Sequence, residues 1–239
     1  MKKALIVGAS SGLGYELARQ LATQGNKVAV VSRNTQPLAE LQSQFPNLVF
    51  PFAHDVRQTD AVPPLFAEIC RALDGLDLVI YSAGVMPAVE LAEFDTEKDT
   101  AMIEVNVTGA VAWLNEAASR FHGVGAGQIV GIGSVAGERG RAGQPVYNAS
   151  KAFLHTYLEA LRNRLARRGV GVITIKPGPV DTPMTAHLSL KKMPVDVAAR
   201  SILKLLKRRN GEFFLSPMHA VAFAIIRAIP SAIFRKLNV

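Results

Sequence analysis

The stretch Ala4-Leu5-Ile6-Val7-Gly8-Ala9-Ser10-Ser11-Gly12-Leu13-Gly14 decides how the rest of the chain is read. Four apolar residues run directly into a glycine-rich corner, and an amphipathic stretch over Gly12–Gln24 follows it. That order is a strand, a tight turn and a helix. Glycines at such a corner let backbone N–H groups approach a pyrophosphate at the helix N-terminus, where the helix dipole favours negative charge. The spacing is G-x-x-x-G-x-G, with Gly8, Gly12 and Gly14 at the fixed positions and Ser10, Ser11 and Leu13 between them. The corner therefore reads as a dinucleotide site.

Working outward, short β-branched runs alternate with longer amphipathic ones. Strands are expected at Ala4–Val7, Lys27–Ser32, Leu48–Phe52, Leu76–Tyr81, Gln128–Ile132, Val170–Lys176 and Glu212–Leu215. Helices are expected at Gly12–Gln24, Gln36–Gln44, Thr59–Leu73, Thr96–Phe121, Pro145–Arg168 and Val195–Arg208. Strands apolar throughout are covered on both faces, and the alternation implies an α/β fold. The expectation is one doubly wound, Rossmann-like domain over residues 1–216, with a mostly parallel seven-stranded sheet and a C-terminal helical extension over residues 217–239.

The chain has 239 residues, of which 49% are hydrophobic and 19% charged, a composition that excludes disorder, collagen and coiled coil. Its net charge of +8 is concentrated at one end. From residue 200 onward eight Lys and Arg face Glu212 alone, which points to a local surface task and not to a nucleic-acid surface. Cys70, the only cysteine, reads as a core filler. The run after Met1-Lys2-Lys3 breaks at Gly8, too short for a signal peptide, and no apolar stretch reaches membrane-span length. A cytoplasmic protein is expected. His54, His122, His155, His187 and His219 lack metal-ligand spacing, so no metal is expected.

The end of the second strand selects the cofactor. An NAD site places an acid about 20 residues beyond the glycines to hold the ribose 2′-hydroxyl. Here Ser32-Arg33-Asn34 follows the strand with no acid. Arg33 can form paired hydrogen bonds to a 2′-phosphate, so NADP(H) is expected over NAD(H).

The chemistry lies in Pro145-Val146-Tyr147-Asn148-Ala149-Ser150-Lys151. Tyr147 and Lys151, at i and i+4, share a helix face. A phenol has a pKa near 10, and lowering it about three units takes roughly 4 kcal/mol. An ammonium about 4 Å away supplies roughly that at an effective dielectric near 20. Ser134, thirteen residues before Tyr147 and just past the strand ending at Ile132, can hydrogen-bond the oxygen that Tyr147 protonates.

Together these residues resemble the short-chain dehydrogenase/reductase family. The matching motifs are Gly8, Gly12 and Gly14, Asp55-Val56, Ala83-Gly84, Asn106, Ser134, Tyr147 with Lys151, and Pro177-Gly178, over about residues 3 to 215. The resemblance implies that Tyr147 is the acid/base, that Lys151 lowers its pKa and binds the nicotinamide ribose, and that Ser134 orients the substrate oxygen. It implies that Asn106 holds a water in a proton relay and that Asp55 contacts the adenine with the Val56 backbone beside it. Pro177, Gly178, Val180 and Thr182 are then expected along the nicotinamide. The chain departs from the family in carrying Tyr81-Ser82 where Asn-Asn is usual.

The activity so implied is hydride transfer between NADP(H) and a ketone or aldehyde on an apolar substrate. Alternatives are a regulatory nucleotide-binding protein without turnover and a dehydrogenase of a small hydroxy acid. Pairing of helices Thr96–Phe121 and Pro145–Arg168 across subunits in relatives implies a homodimer. Residues 217–239 are apolar and basic. They are expected either to pack over the cleft or a second subunit, or to touch the inner membrane face peripherally. Arg139 and Arg141, between Ser134 and Tyr147, can reach substrate.

Overall fold

The computed structural model describes residues 1–237; residues 238 and 239 of the expected extension lie outside the described residues. Seven parallel strands, β1 (Lys3–Val7), β2 (Lys27–Ser32), β3 (Val49–Ala53), β4 (Leu78–Tyr81), β5 (Gly127–Ile132), β6 (Val170–Lys176) and β7 (Gly211–Phe214), form one sheet in the order β3-β2-β1-β4-β5-β6-β7. The chain starts in the middle and winds outward first one way and then the other. The order reverses beside β1, and the crevice outside the carboxyl ends of β1 and β4 is where such sheets bind ligands.

Side chains of one strand alternate between two cores. On one face Leu5 and Val7 pack with Trp113, Phe121 and Leu158, under helices α3 (Val62–Ala72), α5 (Gly109–Val124) and α6 (Pro145–Leu165). On the other, Ala4 and Ile6 pack with Leu17, Leu38 and Ile202, under α1 (Gly12–Thr23), α2 (Gln36–Gln44) and α7 (Val195–Leu205). Both faces are covered, which is why these strands read as continuous apolar runs.

Four expected helices differ in form, the last of them, Val195–Arg208, ending as α7 at Leu205 with a 3₁₀ turn over Leu206–Arg208. The stretch Thr59–Leu73 opens with a short 3₁₀ turn at Thr59–Ala61, because Pro63 and Pro64 suit only the first turn of α3. The stretch Thr96–Phe121 is α4 (Thr96–Ile103) and α5 joined by a π-helical turn at Glu104–Thr108 that carries Asn106. A widened turn of this kind is often found at functional sites. The third, expected to Arg168, ends as α6 at Leu165 and finishes in a 3₁₀ turn closed by Gly169, whose φ is +67°.

The extension folds back onto the domain as α8 (Pro217–Ala228) and α9 (Ser231–Phe234). Phe223 is buried beneath it. Arg139, 87 to 90 residues earlier, donates to the carbonyls of Ile226 (2.6 Å), Arg227 (3.2 Å) and Ile229 (2.6 Å) and lies 4.1 Å over the Phe234 ring. A guanidinium there satisfies the open carbonyls and complements the negative end of the helix. Among the described residues, no helix is long and apolar enough to cross a membrane.

Candidate active site

A crevice of about 620 Å³ opens above the carboxyl ends of β1, β4 and β5. Its floor at one end is the glycine corner. Gly8 has φ +89°, and a Cβ there would lie 2.4 Å from the Ala83 nitrogen. A Cβ on Gly14 would lie 2.0 Å from the Gly8 carbonyl oxygen. Positions 8 and 14 are therefore closed to any side chain, and Ser10, Ser11, Gly12 and Leu13 line the crevice between them. Such a cradle fits the phosphates of a dinucleotide.

Arg33 and Asn34 stand at the rim, at the end of β2. The Arg33 guanidinium is 60% exposed and 4.0 Å from Asp55. Asp55 itself is bound by Arg57, with Nη2 at 2.7 Å and Nε within 3.1 Å. That hydrogen bond, despite some opposing burial, holds the Asp55 carboxyl below its usual range. Of the adenine-side pair, Val56 lines the crevice and Asp55 does not; His54 lines it instead.

The other end holds the reacting groups. Ser134, Tyr147, Lys151, Pro177, Gly178, Val180 and Thr182 line the same crevice, with Ala83 and Gly84 between the two ends. Helix α6 presents Tyr147 and Lys151 on one face, with Lys151 Nζ 5.6 Å from the centre of the Tyr147 ring. Nζ donates to the Ile132 carbonyl at 3.1 Å. Lys151 is buried at the crevice wall, and desolvation lowers its pKa to about 8. Burial pushes the Tyr147 phenol up, while the Ser134 hydroxyl and then the Arg141 charge pull it back. The Arg141 guanidinium is thus one cation acting on the phenol, and Lys151 Nζ stands on the same helix face as the ring.

Asn106 does not line the crevice. Its Oδ1 accepts from Val85 N at 2.8 Å, and its Nδ2 donates to Val85 O at 3.0 Å and Ser150 Oγ at 3.1 Å. The side chain so pins the loop after β4 to α6. Tyr81, at the departure from the family pattern, is buried and donates to the Val105 carbonyl at 2.9 Å, tying β4 to the π-helical turn. Ser82 lines the crevice.

Sequence reasoning missed a buried charged cluster behind Ser134. Glu138, with a side chain 2% exposed, pairs with Lys176 (2.7 Å), His155 Nδ1 (3.3 Å) and Arg227 of α8 (3.3 Å). Burial alone would raise its pKa; hydrogen bonds from His155 and Lys176 outweigh it and bring the carboxyl down to about 2. His155 Nε2 accepts from the Ser134 backbone N–H at 3.3 Å. Desolvation lowers the His155 pKa, in keeping with a neutral ring that donates from Nδ1 and accepts at Nε2. The spacing Tyr147, Lys151, His155 continues one helix face and was available as a signal. Of the two expected substrate-reaching arginines, Arg139 is spent on the extension.

A family model described as short chain dehydrogenase matches residues 2–193. The chain belongs to the short-chain dehydrogenase family. This short-chain dehydrogenase is 35% identical over 244 residues to an uncharacterized oxidoreductase of Myxococcus xanthus, covering 98% of this chain and 94% of that one. It is 34% identical over 218 residues to an uncharacterized oxidoreductase of Mycobacterium tuberculosis, covering 88% and 86%. A solved short chain dehydrogenase from Burkholderia cenocepacia J2315, in complex with NADP, superposes with a TM-score of 0.85 over 100% of both chains at 25% identity. As a family member the chain is an oxidoreductase that binds a nicotinamide cofactor and acts on a small molecule.

Proposed function

We propose that this short-chain dehydrogenase moves a hydride between NADP(H) and a carbonyl or alcohol carbon while Tyr147 trades the proton at the oxygen. One observation carries the reading: a single crevice has the glycine cradle and Arg33 at one end and Ser134, Tyr147 and Lys151 at the other. When bound, the nicotinamide supplies or accepts the hydride. Ser134 donates a hydrogen bond to the substrate oxygen and Tyr147 gives it a proton on reduction. Lys151 holds the nicotinamide ribose and keeps a positive charge beside the phenol. His155 and Glu138, through the Ser134 backbone, keep the serine in place.

Preference for the 2′-phosphorylated cofactor is supported by Arg33 at the rim with no free acid beside it, since Asp55 is bound to Arg57. The NADP held by the Burkholderia relative agrees. The test is a titration of NADPH and NADH by nucleotide fluorescence. NADPH should bind more tightly, and Arg33→Ala should remove at least a tenfold preference, the size expected when a charge-assisted hydrogen bond is lost. Tighter NADH binding, or an indifferent Arg33→Ala, refutes the assignment.

The extension is read as part of the same domain with an outward face for a membrane surface. Met218, Val221 and Ile225, at i, i+3 and i+7, are exposed on one side of α8, and Ile233 and Leu237 continue beside Arg235 and Lys236. Apolar side chains flanked by cations suit an anionic bilayer. A homodimer through α5 and α6 is supported by Phe153, exposed on α6 and stacked on Tyr157.

A further inference from the structure

Arg141 sits in the loop between the catalytic serine and tyrosine. Its Nε is buried and has no hydrogen-bond partner in the protein. Its Nη2 makes one long contact, 3.4 Å to Asn148 Oδ1. No carboxylate lies within ion-pair distance among the described residues, and the one acid in its loop, Glu138, is already engaged by Lys176, His155 and Arg227. A largely desolvated guanidinium without an anion is costly, and folded proteins pair such groups. Burial lowers its pKa, and its charge acts on the Tyr147 phenol. Arg141 does not itself line the crevice, but its Nη2 contact is to Asn148, the residue after Tyr147 on α6, which sets the unpaired cation beside the reacting end.

Two further orphaned polar atoms come from segments framing that end. Gln144 Oε1 is buried without a partner while its Nε2 donates to the Pro87 carbonyl at 3.0 Å. Gln144 also holds φ +58° and ψ +53° immediately before Pro145. That left-handed backbone costs about 1–3 kcal/mol, and strain of this kind gathers at ligand clamps. His219 Nδ1, on α8, is the other. Its ring packs on Gly178 so closely that a Cβ there would lie 2.0 Å from His219 Cε1. Gly178 lines the crevice, so the His219 ring stands behind its wall, and the three orphaned polar atoms lie in segments that border the reacting end.

We infer that Arg141 binds an acidic group of the substrate, so that the carbonyl compound is an oxo acid and the alcohol a hydroxy acid. The inference rests on the hydride-transfer reading above and adds the substrate class. A carboxylate gives the Arg141 Nε–H and an Nη–H their missing acceptors in a bidentate pair. Arg139 cannot substitute, because it is bound to three carbonyls of the extension.

The test compares probes that differ in one charge: acetoacetate against methyl acetoacetate, and levulinate against methyl levulinate, each with NADPH. The ratio of kcat/KM for acid over ester should exceed unity for at least one pair. In Arg141→Gln that ratio should fall roughly 10- to 100-fold, the effect of losing a charged hydrogen bond. Lys191 and Lys192, cations of the segment between β6 and α7, are the controls: Lys191→Gln and Lys192→Gln should leave the ratio unchanged. A second readout needs no turnover: calorimetric titration of the protein, with and without NADPH, by 3-hydroxybutyrate and 4-hydroxypentanoate, since the alcohol and the reduced cofactor cannot react with each other. Arg141→Gln should weaken binding of the preferred acid by a similar factor. An equal loss on acid and ester overturns the inference by assigning Arg141 to the phenol alone. A ratio governed by Lys191 or Lys192, or acid binding untouched by Arg141→Gln, overturns it too. Acid binding that depends on Arg141 without any carbonyl turnover would retain the acid pocket and reject hydride transfer.

Discussion

Replacing Glu138 by Gln removes one negative charge from the centre of the buried cluster and changes its shape little. The wild-type carboxyl titrates near 2 in the folded chain against an ordinary 4.5. At 1.36 kcal/mol per pH unit this corresponds to about 3 kcal/mol. A carboxyl whose folded pKa lies below its unfolded value adds stability above the unfolded pKa and loses it as pH falls through the folded one. The contribution is thus complete above about pH 4.5 and gone near pH 2. In the variant Lys176, 4% exposed, keeps only Glu212 at 2.5 Å, and Arg227 is released to solvent. Removing one partner of a buried ion pair costs about 3–5 kcal/mol, and the remaining Glu212 places this case at the lower end. That is a large share of a typical stability of about 5–15 kcal/mol. Urea unfolding followed by circular dichroism measures it. Near pH 7 Glu138→Gln should be less stable by about 3 kcal/mol, and the difference should shrink as pH falls below about 4.5. A difference under about 1 kcal/mol near pH 7, or one constant down to about pH 3, refutes the reasoning.

Other outcomes follow from the same contacts. Tyr81→Phe strands the Val105 carbonyl and should lower stability by about 1–2 kcal/mol in the same urea assay. Lys151→Met should raise stability near pH 7 by about 1–3 kcal/mol, since a buried ammonium with a pKa near 8 opposes folding. Wild type should regain ground on that variant between about pH 8 and 10.5, where only the unfolded lysine is protonated. His155→Leu leaves the Ser134 N–H unpaired and should lower kcat more than it weakens NADPH binding, whereas His155→Asn should recover part of the loss. Co-sedimentation with anionic liposomes should be stronger for the full chain than for Ile225→Glu, which charges the middle of the exposed α8 stripe. Equal partitioning dismisses the membrane face.

What could be read from the sequence was local. The corner from Gly8 to Gly14 and the Tyr147–Lys151 spacing are each set within a few residues, so strand, turn and shared helix face follow from the order alone. The cluster behind Ser134 could not be read in the same way, because Glu138, Lys176 and Arg227 come from three separate segments that only the parallel sheet brings together. The π-helical turn at Asn106 was hidden because the amphipathic run from Thr96 to Phe121 has no proline, and its one glycine, Gly109, continues as helix; the extra residue per turn answers to tertiary packing against Val85 and Ser150. The capture of the Asp55 carboxylate by Arg57, two residues on, is a side-chain choice that the motif does not specify. The docking of the extension rests on Arg139 reaching nearly ninety residues along the chain, a contact no periodicity signals.

The central claim is that Tyr147 passes the proton within the crevice that holds the nucleotide. It is tested most directly by measuring NADPH oxidation over ketones and oxo acids of graded length with wild type and Tyr147→Phe, alongside NADPH binding to both. Turnover should fall at least about 100-fold in the variant while nucleotide affinity changes by less than about threefold. Undiminished turnover in Tyr147→Phe would contradict the account.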